Sequence, residues 1–389
     1  MTSRRRVVLF SSLVVLIVLV WAAIPYARGA SLIVRAAHVG GRAEQVANAT
    51  KRDVTIEPVH KVPTRLGDID ARFYEPSGRV TRTVLLVPGI HSMGIEEPRL
   101  KALGFDLAGS GVRVMTLALP DLQHYQITAR STDVLEDAVS WMAKQPALAP
   151  DGKVGMVGIS FAGGLSIVAA GRDSIRDKVA FVVSFGGHGD LTHVVRYLCT
   201  GEAPHVDGVT THPPHDYGVA VLLYGLADQM VPPDQVATLR EGVRTFLYAS
   251  QLTLVNMDQA NATFQQARDM AKAMPEPAAT LMTYVNDRNT KKLGPALLPH
   301  LDNLGADAPA ASPVRAPRVP AAPVFLLHGD GDTVIPTVET PLLAEYLRSK
   351  GADVHVLISG LITHAEVDKT AAASETFKLI SFWASVLRR

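Results

Sequence analysis

One cysteine, Cys199, is all that 389 residues carry, so the chain can form neither an intrachain disulfide nor a cysteine-rich zinc site. A chain of this length buries a core large enough to hold without crosslinks, so the shortage does not argue against an extracytoplasmic location. A surplus of one charge sign is missing too: 38 Lys and Arg against 37 Asp and Glu leave a net +1. With no basic excess to neutralise a phosphate backbone, nucleic acid is excluded as a partner. Charged residues are only 19%, below the usual quarter, while 47% are hydrophobic, which excludes a disordered or collagen-like chain. No internal repeat is present. The length suits one large domain with insertions, or two domains.

What the chain does have begins at its N-terminus. Arg4, Arg5 and Arg6 abut Val7–Ile24, a stretch of 18 residues without charge. As a helix that stretch spans ~27 Å, close to the thickness of a hydrocarbon core. A cleavable signal has an apolar region of only ~7–15 residues and a small-x-small exit, for which Ala22-Ala23 and Gly29-Ala30 are poor matches. Residues 1–28 therefore read as an uncleaved signal anchor, followed by a linker over 29–53. The arginine cluster stays cytoplasmic under the positive-inside tendency, which places the rest of the chain outside. Cleavage would instead make the protein secreted.

From Val54 the pattern alternates. Val54–Lys61 and Ile69–Tyr74 flank Leu66-Gly67-Asp68 as two antiparallel strands around a turn. Thr83–Val87 is a short, continuous apolar run, the signature of a strand buried on both faces, and Val112–Leu117, Lys153–Val157 and Val179–Phe185 read as further strands. Helical spacing separates them at Leu100–Ala108, Val134–Met142 and Ser160–Ala170. The alternation resumes with Val324–Leu327, Thr340–Ser349, Val354–Ile358 and Glu375–Leu387. The order predicts an α/β fold with a mostly parallel central sheet flanked by helices, its two parts covering 54–187 and 322–389. Residues 188–321 break the rhythm. Val236–Leu247 and Ala262–Met274 look like amphipathic helices, and Ala306–Pro323 is rich in Ala and Pro, as a linker would be. An insertion here reads as a largely helical lid over the C-terminal edge of the sheet, where open α/β sheets bind ligands.

Three short segments carry chemistry. In Val157-Gly158-Ile159-Ser160-Phe161-Ala162-Gly163-Gly164 a strand turns sharply into a helix, and small residues let the two approach so that the Ser160 hydroxyl projects above the sheet edge. Ala162 departs from the G-x-S-x-G pattern by one methyl group. A phosphate-binding loop does not fit, because no Gly-Lys-Ser/Thr follows. The second segment, His328-Gly329-Asp330-Gly331-Asp332, leaves the strand Val324–Leu327. The third, Ser359-Gly360-Leu361-Ile362-Thr363-His364, follows the strand Val354–Ile358. The order Ser160, Asp332, His364 and the strand–turn–helix setting of Ser160 resemble the α/β-hydrolase superfamily of serine hydrolases, over about Val54–Gly187 and Ala322–Leu387.

The resemblance implies that Asp332 is the acid, with Asp330 a substitute, and that His364 is the base. Serine is a weak nucleophile until an imidazole takes its proton, and the imidazole needs a carboxylate on its other nitrogen. Asp228, in Leu226-Ala227-Asp228-Gln229-Met230-Val231-Pro232, sits in a similar acid-loop pattern. Asp332 is preferred, because the 32 residues to His364 accommodate one helix and one strand. An oxyanion hole takes the amide of Phe161 and, from the loop Pro88–Gly94, the amide of Ile90, with His91 as a pocket wall. Pro88 stands where the family often has His. His188, His193, His205, His212 and His215, interleaved with Asp190, Asp207 and Asp216, have no metal-ligand spacing and read as a solvated lid loop. No metal or cofactor is expected.

The reading that results is a membrane-anchored hydrolase cleaving a carboxylic ester, or a related acyl bond, of a small and lipophilic substrate through an acyl-enzyme. The alternatives are a non-catalytic binding protein of the same fold, and a peptidase or lactonase.

Overall fold

The computed structural model describes residues 3–389 apart from 81, 206–207, 254, 305–306, 364–365 and 368–372. The chain opens with helix α1 (Ser3–Ala36) and helix α2 (Gly41–Thr50), followed by strands β1 (Val54–Thr64), β2 (Gly67–Pro76) and β3 (Thr83–Val87). Helix α3 (Pro98–Gly109), β4 (Arg113–Leu117), α4 (Pro120–Gln123), α5 (Arg130–Ala143), β5 (Val154–Ile159), α6 (Phe161–Ala170) and β6 (Val179–Phe185) complete the first half. The insertion holds α7 (Leu191–Thr200), a hairpin of β7 (Glu202–His205) and β8 (Gly208–Thr211), and α8 (Asp216–Met230), α9 (Pro233–Leu252), α10 (Met257–Ala273), α11 (Ala278–Asn286), α12 (Thr290–Leu297) and α13 (Asp307–Ala310). The chain returns to the sheet with β9 (Val324–Gly329), α14 (Glu339–Ser349) and β10 (Val354–Ser359), then β11 (Ile362–Thr363), β12 (Glu366–Val367) and α15 (Ala373–Val386).

Eight strands form one sheet in the order β1-β2-β4-β3-β5-β6-β9-β10. Only β2 runs against its neighbours, so the sheet is mostly parallel. Its central strands are apolar throughout because both faces are covered. Side-chain alternation sorts them: Val84 and Leu86 of β3 enter a core with α1, α3 and α15, while Leu85 and Val87 enter the opposite core with α5, α6 and the insertion.

The N-terminal part differs from the expected anchor plus linker. Helix α1 continues to Ala36, and 41–50 is a second helix. Ser12–Ala36 is long and apolar enough to cross a membrane, and the side chains of 12–24 are exposed. Beyond Tyr26 the helix docks on the sheet-and-helix body. Leu32 and Ile33 are buried in the core beside α3 and α15. Arg35 is buried as well, its Nε donating to Asp106 Oδ1 at 3.0 Å and its Nη2 to the Asp106 carbonyl at 2.7 Å. Arg35 looks like a linker charge in the sequence; its partner lies 71 residues away.

The insertion is helical apart from its hairpin. The Ala/Pro-rich stretch forms α13 and a short 3-10 turn at Pro313–Arg315. Its start is clasped to the core: Glu339 Oε2 accepts from the amides of Gly189 and Asp190, and Arg315 pairs with Asp190 at 2.9 Å.

Candidate active site

Ser160 ends β5 and caps α6 with φ 55° and ψ −133°, a conformation a non-glycine residue holds only when its surroundings impose it, at a cost of about 1–3 kcal/mol. The surroundings do so. The Ser160 amide donates to the Phe185 carbonyl at 2.7 Å, and its own carbonyl accepts from Gly163 at 2.8 Å. A methyl group on Gly158 would fall on the Ala162 carbonyl oxygen, and one on Gly163 would meet the Ser184 hydroxyl. The close approach of strand and helix therefore rests on Gly158 and Gly163. Ala162 is fully buried, and its methyl group is accommodated at the one position where the sequence departs from the usual pattern.

The loop after β3 lies against this turn. A methyl group on Gly89 would come within 3.2 Å of Ser160 Cβ, so Pro88-Gly89-Ile90 runs directly beside the hydroxyl. Phe161 takes the first position of α6, where amides point away from the helix without intrahelical acceptors. Ile90 is pinned from the lid: its carbonyl accepts from the Tyr217 hydroxyl at 3.4 Å. Gln251 of α9 donates to that same hydroxyl at 2.8 Å and to Tyr125 at 3.3 Å, while Ser92 donates to the Gln251 side-chain oxygen at 2.8 Å. Sequence patterning gave no sign of this network, because its members come from four distant segments. His91 is buried; desolvation, only partly offset by Glu97, pushes its imidazole down to about 4, so it is neutral at pH 7 and accepts from the Met93 amide at 3.2 Å.

Asp332 is buried beyond the end of β9, while Asp330 is exposed. One Asp332 oxygen accepts from the amides of Val334 at 2.8 Å and Ile335 at 3.0 Å. The other lies 3.3 Å from Nε2 of His328, a fully buried histidine. That nitrogen also faces the Ile335 carbonyl at 3.0 Å, an acceptor only, so Nε2 carries a proton, while Nδ1 and the Thr340 hydroxyl are hydrogen-bonded at 2.6 Å. His328 was missed as a supporting residue, although it stands at the head of the His328–Asp332 segment.

The rim brings Ser160 and Asp332 near each other. Ser160 hangs on Phe185 of β6, and Gly186, the next residue, faces Asp332 Oδ2. Strand β6 separates β5 from β9, so the two ends stand two strand spacings apart, ~10 Å. His364 lies outside the described residues; β11 ends at Thr363, next to it in sequence. Asp228 is on helix α8, with its side chain largely exposed and paired to Arg240 at 3.1 Å.

A cavity of about 700 Å³ opens on Ser160, Phe161 and Ile90. Leu198, Val221 and Leu222 of the lid and Leu103 of α3 give it apolar walls, and Ala36, Ala37 and His38 at the end of α1 line it too. The lid histidines are less solvated than their sequence context suggests. His188 is fully buried with Nε2 on the Ala311 carbonyl at 3.0 Å, and His193 stands 3.4 Å from Glu339. His215 caps α8 by accepting from the Tyr217 amide, and among the described residues no group of three metal-ligating side chains converges.

No protein-family model matches the chain, and no curated protein matches it. Among solved structures it is similar to an esterase from Pyrobaculum calidifontis, at 17% identity over 93% of this chain and 91% of that one, with a TM-score of 0.46. An acylaminoacyl peptidase from Pyrococcus horikoshii matches at 12% identity over 90% of this chain and 44% of that one, TM-score 0.46. A dipeptidyl peptidase 4 from Porphyromonas gingivalis matches at 9% identity over 89% and 37%, TM-score 0.46. These likenesses are faint. The sheet itself, with one reversed strand in eight, helices on both faces and a strained serine turning β5 into α6, makes this an α/β-hydrolase fold.

Proposed function

We propose that the protein is a membrane-anchored serine hydrolase that cleaves a carboxylic ester through an acyl-enzyme. One observation carries this reading: Ser160 is held at positive φ on a strand-to-helix turn that opens on a largely apolar cavity. In the proposed mechanism Ser160 Oγ attacks the ester carbonyl carbon while His364 accepts the hydroxyl proton. Asp332, held by two amides and His328, fixes the imidazole and stabilises its charged form. The amides of Phe161 and Ile90 receive the developing oxyanion. The tetrahedral intermediate collapses, the alcohol leaves with the proton from His364, and water then attacks the acyl-Ser160 by the same route in reverse.

The apolar walls favour an acyl chain of several carbons over a charged group. Membrane attachment rests on α1, whose basic flank, exposed apolar length and position match a signal anchor or a signal sequence. With the anchor retained and Arg4–Arg6 in the cytoplasm, the hydrolase body is extracytoplasmic.

The test is steady-state hydrolysis of p-nitrophenyl esters of graded chain length by the full chain in detergent. Ser160→Ala and His364→Ala are expected to fall by roughly 10³-fold or more, down to the residual left by binding and the oxyanion donors. Full activity in Ser160→Ala would reject the nucleophile, and a wild type inert toward every ester would favour a binding protein of the same fold.

A further inference from the structure

The docked half of α1 turns an anchor into a fixed mount. A methyl group on Gly29 would lie 2.8 Å from the Ile380 carbonyl and 3.1 Å from the Ala384 amide, so α1 and α15 touch backbone to backbone there. Leu32, Ile33 and the buried Arg35–Asp106 pair hold the following turns. The exposed apolar turns of α1 and its docked turns belong to one continuous helix, with Pro25 the only proline inside it, so no loop separates them.

Where the helix leaves its apolar stretch, aromatic side chains collect. Trp21 is 75% exposed, and Tyr26 stacks on Phe377 of α15 with ring centroids 6.5 Å apart. Phe377 is itself 62% exposed, although α15 otherwise buries Leu379, Phe382 and Trp383. Arg388 also sits over the Tyr26 ring, at 4.9 Å from its centroid. Tryptophan and tyrosine prefer the headgroup layer, and a cation at that level meets lipid phosphates.

The distances decide the level. Tyr26 lies two residues past Ile24, hence ~3 Å beyond the apolar span along the helix axis. The ring of Phe377 lies 6.5 Å from that of Tyr26, so its level along the membrane normal differs from that of Tyr26 by no more than this distance. The headgroup layer is ~5–7 Å deep on each side of the bilayer, which takes in Tyr26 and reaches the level of its stacking partner Phe377.

We propose that Trp21, Tyr26, Phe377 and Arg388 form a seat in the headgroup layer of a lipid bilayer, on which the hydrolase body rests in one orientation. The inference depends on α1 being a retained membrane anchor, as proposed above. It also sets which edge of the sheet faces lipid. Through Phe382, α15 packs on Phe325 of β9, next to the edge strand β10, whereas the β1–β2 turn marks the opposite edge. Seven strand spacings, roughly 33 Å, separate those edges, so Leu66 at the β1–β2 turn is a reference position far from the α15 side of the sheet.

The chain's single cysteine makes the test direct. Cys199 is buried and its thiol is pushed up to about 12 by desolvation, so an introduced surface cysteine takes the label selectively. The full chain carrying Leu16→Cys, Phe377→Cys or Leu66→Cys is labelled with an environment-sensitive fluorophore. It is then placed in phosphatidylcholine–phosphatidylglycerol vesicles with or without a spin-labelled lipid quencher. The labels at positions 16 and 377 are expected to shift to the blue and to be quenched several-fold more than the label at 66. Quenching at 16 but not at 377 overturns the seat while leaving the anchor intact. No quenching at 16 overturns the anchor reading itself. Equal quenching at 377 and 66 refutes a single orientation, and shielding of 377 from aqueous iodide without lipid quenching assigns it to a protein partner instead. Gly29→Leu, which forces α1 off α15, is expected to lower quenching at 377 and to leave it unchanged at 16; an unchanged response at both refutes the fixed mount.

Discussion

Replacing Gln251 by leucine tests whether the lid positions the loop proposed to stabilise the oxyanion. The change nearly conserves shape and removes three hydrogen bonds, to Tyr217, Tyr125 and Ser92. At about 1 kcal/mol net for each, the simple sum is ~3 kcal/mol. The real loss should be smaller, because two of the groups keep other partners. Tyr217 still has the Ile90 carbonyl, and Ser92 is only half-buried and can turn to water. The 3.3 Å bond to Tyr125 is also the longest of the three. A destabilisation of about 1–2 kcal/mol is therefore expected, read as a shift of the urea midpoint at unchanged slope. The kinetic effect should be larger than that suggests. Losing a whole oxyanion donor costs ~10²–10³ in kcat, so a loosened Ile90 amide should cost roughly tenfold, with KM nearly unchanged. Gln251→Glu, which keeps an acceptor for Ser92 but not the donor to Tyr217, should fall between. Lower stability with an unchanged kcat would refute the link, leaving the network a purely structural one.

Other outcomes follow from single contacts. Gly158→Ala places a methyl group on the Ala162 carbonyl oxygen and should cost about 3 kcal/mol or more in chemical denaturation, whereas Ala162→Gly should cost under half as much. Asp106→Ala strands the buried Arg35 guanidinium, so α1 should undock at a cost of about 3–5 kcal/mol, and limited proteolysis should gain a cut near residues 37–53. His193 has its pKa raised, chiefly by Glu339 and further by Asp190, with Arg315 opposing. A raised value means that the stabilisation is complete below the unfolded value of ~6.5 and lost as pH rises through the folded one. Unfolding midpoints of His193→Gln should accordingly converge on wild type at alkaline pH and fall below it in acid; a constant offset would contradict the assignment.

Much of the fold was legible because its central strands are buried on both sides. Thr83–Val87 reads as an apolar run and Val179–Phe185 as a further strand, and the structure gives both the same bounds. The turn at Ser160 was legible for a related reason: Gly158 and Gly163 are required by close backbone approach, a local demand that a local sequence can display. What was hidden depends on partners far along the chain. Arg35 reads as an exposed charge until Asp106 is beside it, so the docked half of α1 passed for a linker. His188 reads as a loop histidine, yet the Ala311 carbonyl, 123 residues on, satisfies it inside the core. Asp228 shows the converse: its surrounding sequence resembles an acid loop, but Tyr217–Leu223 is helix, and the aspartate faces solvent beside Arg240.

The central claim is that the hydroxyl of Ser160 is an activated nucleophile. It is tested most directly by treating the full-length protein with a fluorophosphonate probe and mapping the adduct by mass spectrometry. A single adduct on the peptide bearing Ser160, absent in Ser160→Ala and strongly slowed in Asp332→Asn, is the expected result. An adduct on any other residue, or none at all on folded wild-type protein, would contradict it.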